Sequence, residues 1–455
     1  MGDINDPGLL TPSQTSLLTD QYELTMAASY LRRGIDRPAA FELFARHLPP
    51  RRKWALAAGL GPTLRLVREL RFGADELEYL RSLGFEQDFL ERLRGFRFSG
   101  DIDAVPEGTV VFANEPLLRV TAPRIEAQLL ETLLLNQINF QTMIATKAAR
   151  VVLAAGGGEV GAGHTVVDFS PRRDHGTDAA MKVARAAALV GCSGTSNVAA
   201  AMRYGLEPVG TMAHSYVMSF SSELEAFKAF LEDQPHNAVL LVDTYDTLEG
   251  VRNAIRASRE TGIPLTGIRI DSGDLLELSR AARELLDEAG MTQTRIAASG
   301  DLNEDRIATL VAAGAPVDIW GVGTELGTSR DSPVFNGVYK LVADMGEDGR
   351  WRGVAKRSAD KATVPGPKQV FRSYEDGLMA GDVIARADEE LAGERLLVPV
   401  MRDGEIVRED SLEEIRARVD AQLAALPPHL RSPEEGTEPY PVGWSEALSA
   451  TALRS

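Results

Sequence analysis

The stretch "LTGIRIDSGDLLELSRAARELLDEAG" (265–290) decides how this chain folds. A short β-prone run leads into a Ser-Gly turn flanked by Arg269, Asp271 and Asp274, and a helix-like segment follows at once. That is one βα unit. The same rhythm surrounds it: "TVVDFS", "ALVGCSGTS", "PVGTMAHS", "AVLLVDTYD", "RIAASGD" and "DIWGVGTE" are further β-prone runs, most of them separated by helix-like segments. Runs start every roughly 20–30 residues, the spacing of repeated βα units. Seven in succession predict a closed or nearly closed parallel barrel, with a doubly wound sheet as the alternative.

Polar residues gather where these runs end. The clusters are Asp168, Ser193–Thr195, His214–Ser215, Asp243–Thr244, Arg269–Asp271–Ser272, Ser299–Asp301 and Gly321–Thr324. In a parallel barrel every strand end meets on one face, where the active sites of this architecture are built. Solvated loops alone do not account for seven such clusters, so the pattern is that of an enzyme.

Outside the barrel region, "TDQYELTMAASYLRRG" reads as a helix with Asp20 and Glu23 at its start and Gly34 at its end. Residues 98–123 alternate apolar and polar between turn signals, which predicts antiparallel strands. Residues 125–155 form a long helical pattern stopped by Gly156–Gly158. After residue 340 the pattern turns strand- and loop-like, with a basic stretch at 356–372 and a charged, Pro-containing tail at 427–455 expected to lie as a surface arm. The expected organisation is 1–150, 151–340 for the barrel, and 341–455.

The 455 residues suffice for a large core. A formal charge of −17 argues against nucleic acid or an anionic membrane as partner. One cysteine, Cys192, excludes an intramolecular disulfide and a Cys-rich zinc site. Neither a signal peptide nor a long apolar span is visible, so the expected location is the cytoplasm.

Individual motifs differ in weight. "GGGEVGAGH" (156–164) follows a helix, not a strand, and reads as a helix stop and linker. Arg269 beside Asp271 suits a carboxylate or phosphate together with sugar hydroxyls or Mg²⁺. "GVGT" (321–324) leaves backbone N–H groups accessible late in the barrel, where phosphate sites of barrels lie. His214 stands near Asp243, and a carboxylate on one ring nitrogen would leave the other as base or nucleophile.

Together "LLTDQYELTM", "DFSPRRDHG", "GTMAHSYVMSF", "RIDSGD", "GVGTELGTSRDSPVFNGVYK" and "KATVPGPKQVFR" resemble segments of the nicotinate phosphoribosyltransferase family, in its order, over residues 17–372. The resemblance implies a type II phosphoribosyltransferase fold: an irregular seven-stranded α/β barrel plus an α/β sandwich-like domain built from both chain ends. It implies that nicotinate and 5-phosphoribosyl 1-diphosphate give nicotinate mononucleotide and diphosphate in NAD salvage, with Mg²⁺ and coupled ATP hydrolysis. His214 matches the histidine that ATP phosphorylates, and Asp243 would hold its tautomer.

Phe169 and Tyr22 match aromatics that sandwich the pyridine ring, Tyr22 coming from the second subunit of a homodimer with shared sites. Arg269 and Ser215 would receive the carboxylate and Arg172 the diphosphate or phosphate. Asp271 and Asp301 would meet ribose and metal, and Gly321, Gly323 and Thr324 the 5′-phosphate, with Arg330 and Lys340 adding charge. The resemblance implies no zinc here, because the Cys-rich knuckle of some relatives is missing. Nicotinamide-specific cousins present a carboxylate where this chain has "GCSGTSN", with Ser196 and Asn197. That favours the acid over the amide substrate. The alternatives are a nicotinamide or quinolinate phosphoribosyltransferase, or a non-catalytic metabolite-binding barrel.

Overall fold

The computed structural model describes residues 10, 14–156, 158, 165–356, 363–432 and 438–454. Most of the Gly-rich linker at 156–164, residues 357–362 of the basic stretch, residues 433–437 of the tail and the first nine residues lie outside the described residues. The chain divides into two compact units: Met1–Thr146, Val334–Leu430 and Thr437–Ser455 form one, and Lys147–Pro333 with Arg431–Gly436 the other.

The second unit carries the βα repeats. Its strands are β1 (Thr165–Asp168), β2 (Gly194–Thr195), β3 (Glu207–Pro208), β4 (Val239–Leu241), β5 (Gly267–Ile270), β6 (Arg295–Ala298) and β7 (Ile319–Val322). They pair in parallel in the order β3-β2-β1-β7-β6-β5-β4. The sheet is thus the expected seven-stranded α/β barrel wall, with β3 and β4 at its two free edges. Across that seam Asn237, just before β4, donates from Nδ2 to the carbonyl of Gly210, just after β3, at 2.7 Å.

Apolar side chains drive the wall's formation. Leu240, Ile268, Ile270, Ile296, Trp320 and Val322 are all buried, as parallel strands covered on both faces require. The turn residues also start helices. Asn197, Ser222, Asp246, Asp274 and Asn303 each accept a backbone N–H of the helix that follows, satisfying donors that the first turn leaves open. One run departs from expectation. In "PVGTMAHS" only Pro208 is in a strand, and His214 begins a helical turn, His214–Val217, instead of ending a strand. Pro208 cannot donate to a ladder, which confines β3 to an edge.

The first unit is built from both chain ends. Its largest sheet runs in the order Trp351–Gly353, Gly337–Met345, Pro38–Ala45, Pro116–Pro123, Asp101–Ala104, Val398–Arg402, Glu405–Ile406. Asp101–Ala104 and Pro116–Pro123 pair antiparallel, as the alternation at 98–123 predicts. The helical pattern that follows divides into Arg124–Gln128 and Glu131–Ala155.

The tail is no arm. Val442–Trp444 adds a parallel strand to Leu378–Arg386, Leu448 is fully buried, and Tyr440 stacks on Phe112 with ring centroids 3.8 Å apart. Beneath that stack lies a sealed polar node. Arg372 donates from Nε and Nη2 to Asp382 and from Nη1 to Gln422, Tyr440 donates to Asp382, and Glu115 stands 4.0 Å from Arg372. Burial, then the charge of Asp382, pushes the Glu115 carboxyl well above its ordinary range.

Candidate active site

Parallel register places the polar ends side by side. Asp168 lies opposite Thr195 on one side and Val322 on the other, and Ile270 lies opposite Ala298. Phe169, Ser196, Asp271, Ser299 and Gly323 therefore leave the wall along a single edge. Among the described residues of this edge, the best-connected cation is Arg269. Its Nε donates to Ser299 Oγ at 2.9 Å and its Nη2 to Asp271 Oδ1 at 3.0 Å, while Ser299 Oγ donates to the same carboxylate oxygen. Its guanidinium carbon lies 5.6 Å from the centroid of the Phe169 ring, a cation–π arrangement. Burial works against the Asp271 carboxylate, but the bonds from Ser299 and Arg269 and the Arg269 charge outweigh it and hold Asp271 below its usual range.

Two glycines make this packing possible. A Cβ on Gly321 would come within 2.6 Å of the Phe169 ring, and one on Gly300 would meet the carbonyl oxygen of Asp271 at 1.9 Å. Gly300 also sits at φ 90°, where a side chain is strained.

His214 is held differently from the sequence expectation. Its Nδ1 is 3.1 Å from Thr244 Oγ1, so Thr244 makes the ring's hydrogen bond. Asp243 Oδ1 stands 3.9 Å from Nε2, an ion-pair separation and not a hydrogen bond. The reason is competition. Asp243 Oδ2 accepts the backbone N–H of Asp271 at 2.9 Å and the hydroxyl of Ser272 at 2.6 Å, which turns the carboxylate toward the next strand end. Oδ1 is left buried without a hydrogen-bond donor. Ser215 is exposed on the His214 turn, where its carbonyl accepts from Ser219 Oγ.

The loop after β1 hides a second pair of carboxylates. Ser170 donates its N–H and Oγ–H to Asp168 Oδ1 at 2.9 and 2.6 Å, and Thr195 donates to Oδ2 at 2.7 Å. Ser170 Oγ also lies 3.1 Å from Asp174 Oδ2. A hydroxyl has one proton to give, so the Asp174 contact is good only when Asp174 is itself protonated and donates. Burial, then the charge of Asp168, pushes Asp174 up to about 6. The folded state therefore favours the protonated form, and that stabilisation is lost as pH rises from the ordinary carboxylate value of ~4 through about 6. Asp174→Asn is expected to be more stable than the unsubstituted protein at pH 7.5, with the difference shrinking toward pH 5. Denaturant midpoints at both values check this, and a difference that does not change with pH overturns it.

The remaining expected residues fall as follows. Arg172 is exposed in the loop after β1. Gly323 and Thr324 form the turn after β7, and Arg330, also exposed, lies 3.3 Å from Glu325. Asp301 is exposed at φ 45°. Tyr22 and Lys340 belong to the first unit, where Glu131 accepts a hydrogen bond from Tyr22 and lies 3.4 Å from Lys340 Nζ. Thr244, Ser170 and Asp174 took no assigned role in the sequence reading. A hydroxyl or carboxylate within a few residues of a strand end is the signal that marks them.

Comparison with known proteins completes the description. Three family models match successive parts of the chain: the nicotinate phosphoribosyltransferase N-terminal domain at residues 17–139, the nicotinate phosphoribosyltransferase family at 164–368, and the corresponding C-terminal domain at 391–452. A nicotinate phosphoribosyltransferase of Mycobacterium tuberculosis is 48% identical over 444 residues, covering 96% of this chain and 93% of that protein. One from Bacillus subtilis is 46% identical, covering 84% of this chain and 78% of its own length. The crystal structure of human nicotinic acid phosphoribosyltransferase superposes with a TM-score of 0.82 at 28% identity, over 96% of this chain and 99% of that one.

Proposed function

The chain belongs to the nicotinate phosphoribosyltransferase family and is an enzyme of that activity in NAD salvage, and we propose that the strand-end edge just described is where it acts. The observation that carries this is Arg269 beside Phe169. A pyridine carboxylate needs an aromatic face for its ring and a cation for its acid, and both stand together here. Ser215 adds a hydroxyl for the carboxylate, and Tyr22 of a second subunit closes the other face of the ring in a homodimer with shared sites.

In the reaction the pyridine nitrogen forms a bond to C1 of the ribose as the bond from C1 to diphosphate breaks. The protein positions the two reactants and offsets charge on the leaving group. Arg172 meets the diphosphate, Asp271 and Asp301 the ribose hydroxyls, and Gly321, Gly323 and Thr324 the 5′-phosphate, with Arg330 adding charge. The donor set suits Mg²⁺ arriving with the diphosphate. Asp271 Oδ1 is committed to Arg269 and Ser299, leaving Oδ2, and Asp301 is exposed. Mg²⁺ commonly takes one or two carboxylates, waters and substrate phosphates. Asp271 and Asp301 would hold it, and its charge would offset that of the diphosphate.

ATP hydrolysis enters through His214. An imidazole nitrogen accepts the γ-phosphoryl group as ADP leaves, and water later cleaves the N–P bond. A cytoplasmic setting fits these substrates and the single cysteine. No helix among the described residues is long and apolar enough to cross a membrane. The test is direct: nicotinate, 5-phosphoribosyl 1-diphosphate and Mg²⁺ are expected to yield nicotinate mononucleotide, faster with ATP than without. Preferential use of nicotinamide or quinolinate in competition would overturn the substrate assignment.

A further inference from the structure

Lys147 lies in the helix Glu131–Ala155 with its side chain only 1% exposed, an expensive place for an ammonium group. It is not there to neutralise one partner. Its Nζ donates to Glu304 Oε2 and to Asp331 Oδ1, the latter at 2.8 Å, and lies 4.0 Å from Glu325 Oε2. One helical turn further on, Arg150 Nε donates to Glu304 Oε1 at 2.9 Å. Arg150 thus takes one Glu304 oxygen and Lys147 the other. What Lys147 adds is the link from Glu304 to Asp331.

These acids come from two different loops of the site. Glu304 opens the helix Glu304–Ala312, three residues beyond Asp301 in the loop after β6. Glu325 belongs to the turn Thr324–Gly327, and Asp331 follows it, in the loop after β7. Both loops carry non-glycine residues held at positive φ, Asp301 at 45° and Ser329 at 43°, a conformation that persists only when its surroundings enforce it.

We propose that Lys147 is a positioning residue for 5-phosphoribosyl 1-diphosphate. By holding Glu304 and Asp331 on one buried cation, it sets the separation between the loop that offers Asp301 to the ribose and the turn that offers Gly323 and Thr324 to the 5′-phosphate. The inference rests on the reading of those two loops given above. It predicts an asymmetric effect, because Arg269 at the nicotinate end hydrogen-bonds to Ser299, Asp271, Thr211 and Met212 and to none of these acids.

The experiment compares Lys147→Met and Asp331→Asn in the full-length protein, each assayed well below its own melting temperature. KM for 5-phosphoribosyl 1-diphosphate is expected to rise about tenfold or more in Lys147→Met and in the same direction in Asp331→Asn, with KM for nicotinate within about twofold of the starting value. A node that serves stability alone would lower the melting temperature and leave both KM values in place. That result, or an equal rise in both KM values, overturns the inference. Should Lys147→Met fail to fold, the two KM values of Asp331→Asn decide. Thr324→Val tests the underlying reading separately. If it leaves KM for the phosphoribosyl donor unmoved, the phosphate assignment fails. If it raises that KM while Lys147→Met and Asp331→Asn do not, only the present inference fails.

Discussion

His214→Ala is expected to eliminate ATP hydrolysis, by at least about a thousandfold, while a slow ATP-independent formation of nicotinate mononucleotide persists. The separation follows from where the residue stands. The imidazole touches Thr244 through Nδ1 and faces Asp243 across 3.9 Å, whereas the Arg269–Asp271–Ser299 side-chain cluster assigned to the reactants shares no direct hydrogen bond with it. Removing the ring deletes the proposed phosphoryl acceptor and leaves the proposed pyridine and ribose contacts in place. The side chain is 39% exposed, so the fold tolerates its loss. Release of ADP, and transfer of label from γ-labelled ATP to the protein, are the measurements. A variant that hydrolysed ATP at the original rate would remove His214 from the mechanism.

Arg372→Met is expected to destabilise the protein by about 3–5 kcal/mol. The guanidinium is fully buried and supplies three hydrogen bonds to Asp382 and one to Gln422, with the Phe112 ring 5.5 Å beneath it. Methionine fills much of the volume but leaves the Asp382 charge sealed in with no cation, and burial of an unpaired charge is what makes this class of substitution severe. Replacing both partners, as Arg372→Met with Asp382→Leu, is expected to recover much of the loss. Chemical denaturation reads both. A loss below ~1 kcal/mol for the single variant would mean that the node contributes little.

The barrel was legible because its signal is local. Each apolar run ends at a charged or glycine-containing turn, and the turn residues Asp246, Asp274 and Asn303 announce the next helix within a few positions. That the polar strand ends lie side by side was legible for the same reason, since parallel strands align their ends. What escaped depends on contacts distant in sequence. Lys147 sits 157 positions from Glu304, inside an unremarkable helical pattern. Arg372 and Tyr440 meet across the chain's return, so the tail looked like an arm when read alone. Asp243 faces the imidazole at 3.9 Å without bonding it because of a nearer competition. Nothing in "VDTYD" says that the N–H of Asp271 and the hydroxyl of Ser272 will claim that carboxylate first.

The seam between β3 and β4 gives the wall one soft direction. Prying β5 from β6 would break a ladder, whereas the described side-chain contacts across the free edges are Asn237 to Gly210 and His214 to Thr244. β3 is two residues long and exposed, and His214 follows Gly210 by four positions. The imidazole therefore stands at the open edge of the wall, where side chains rather than a strand ladder join the two ends of the sheet.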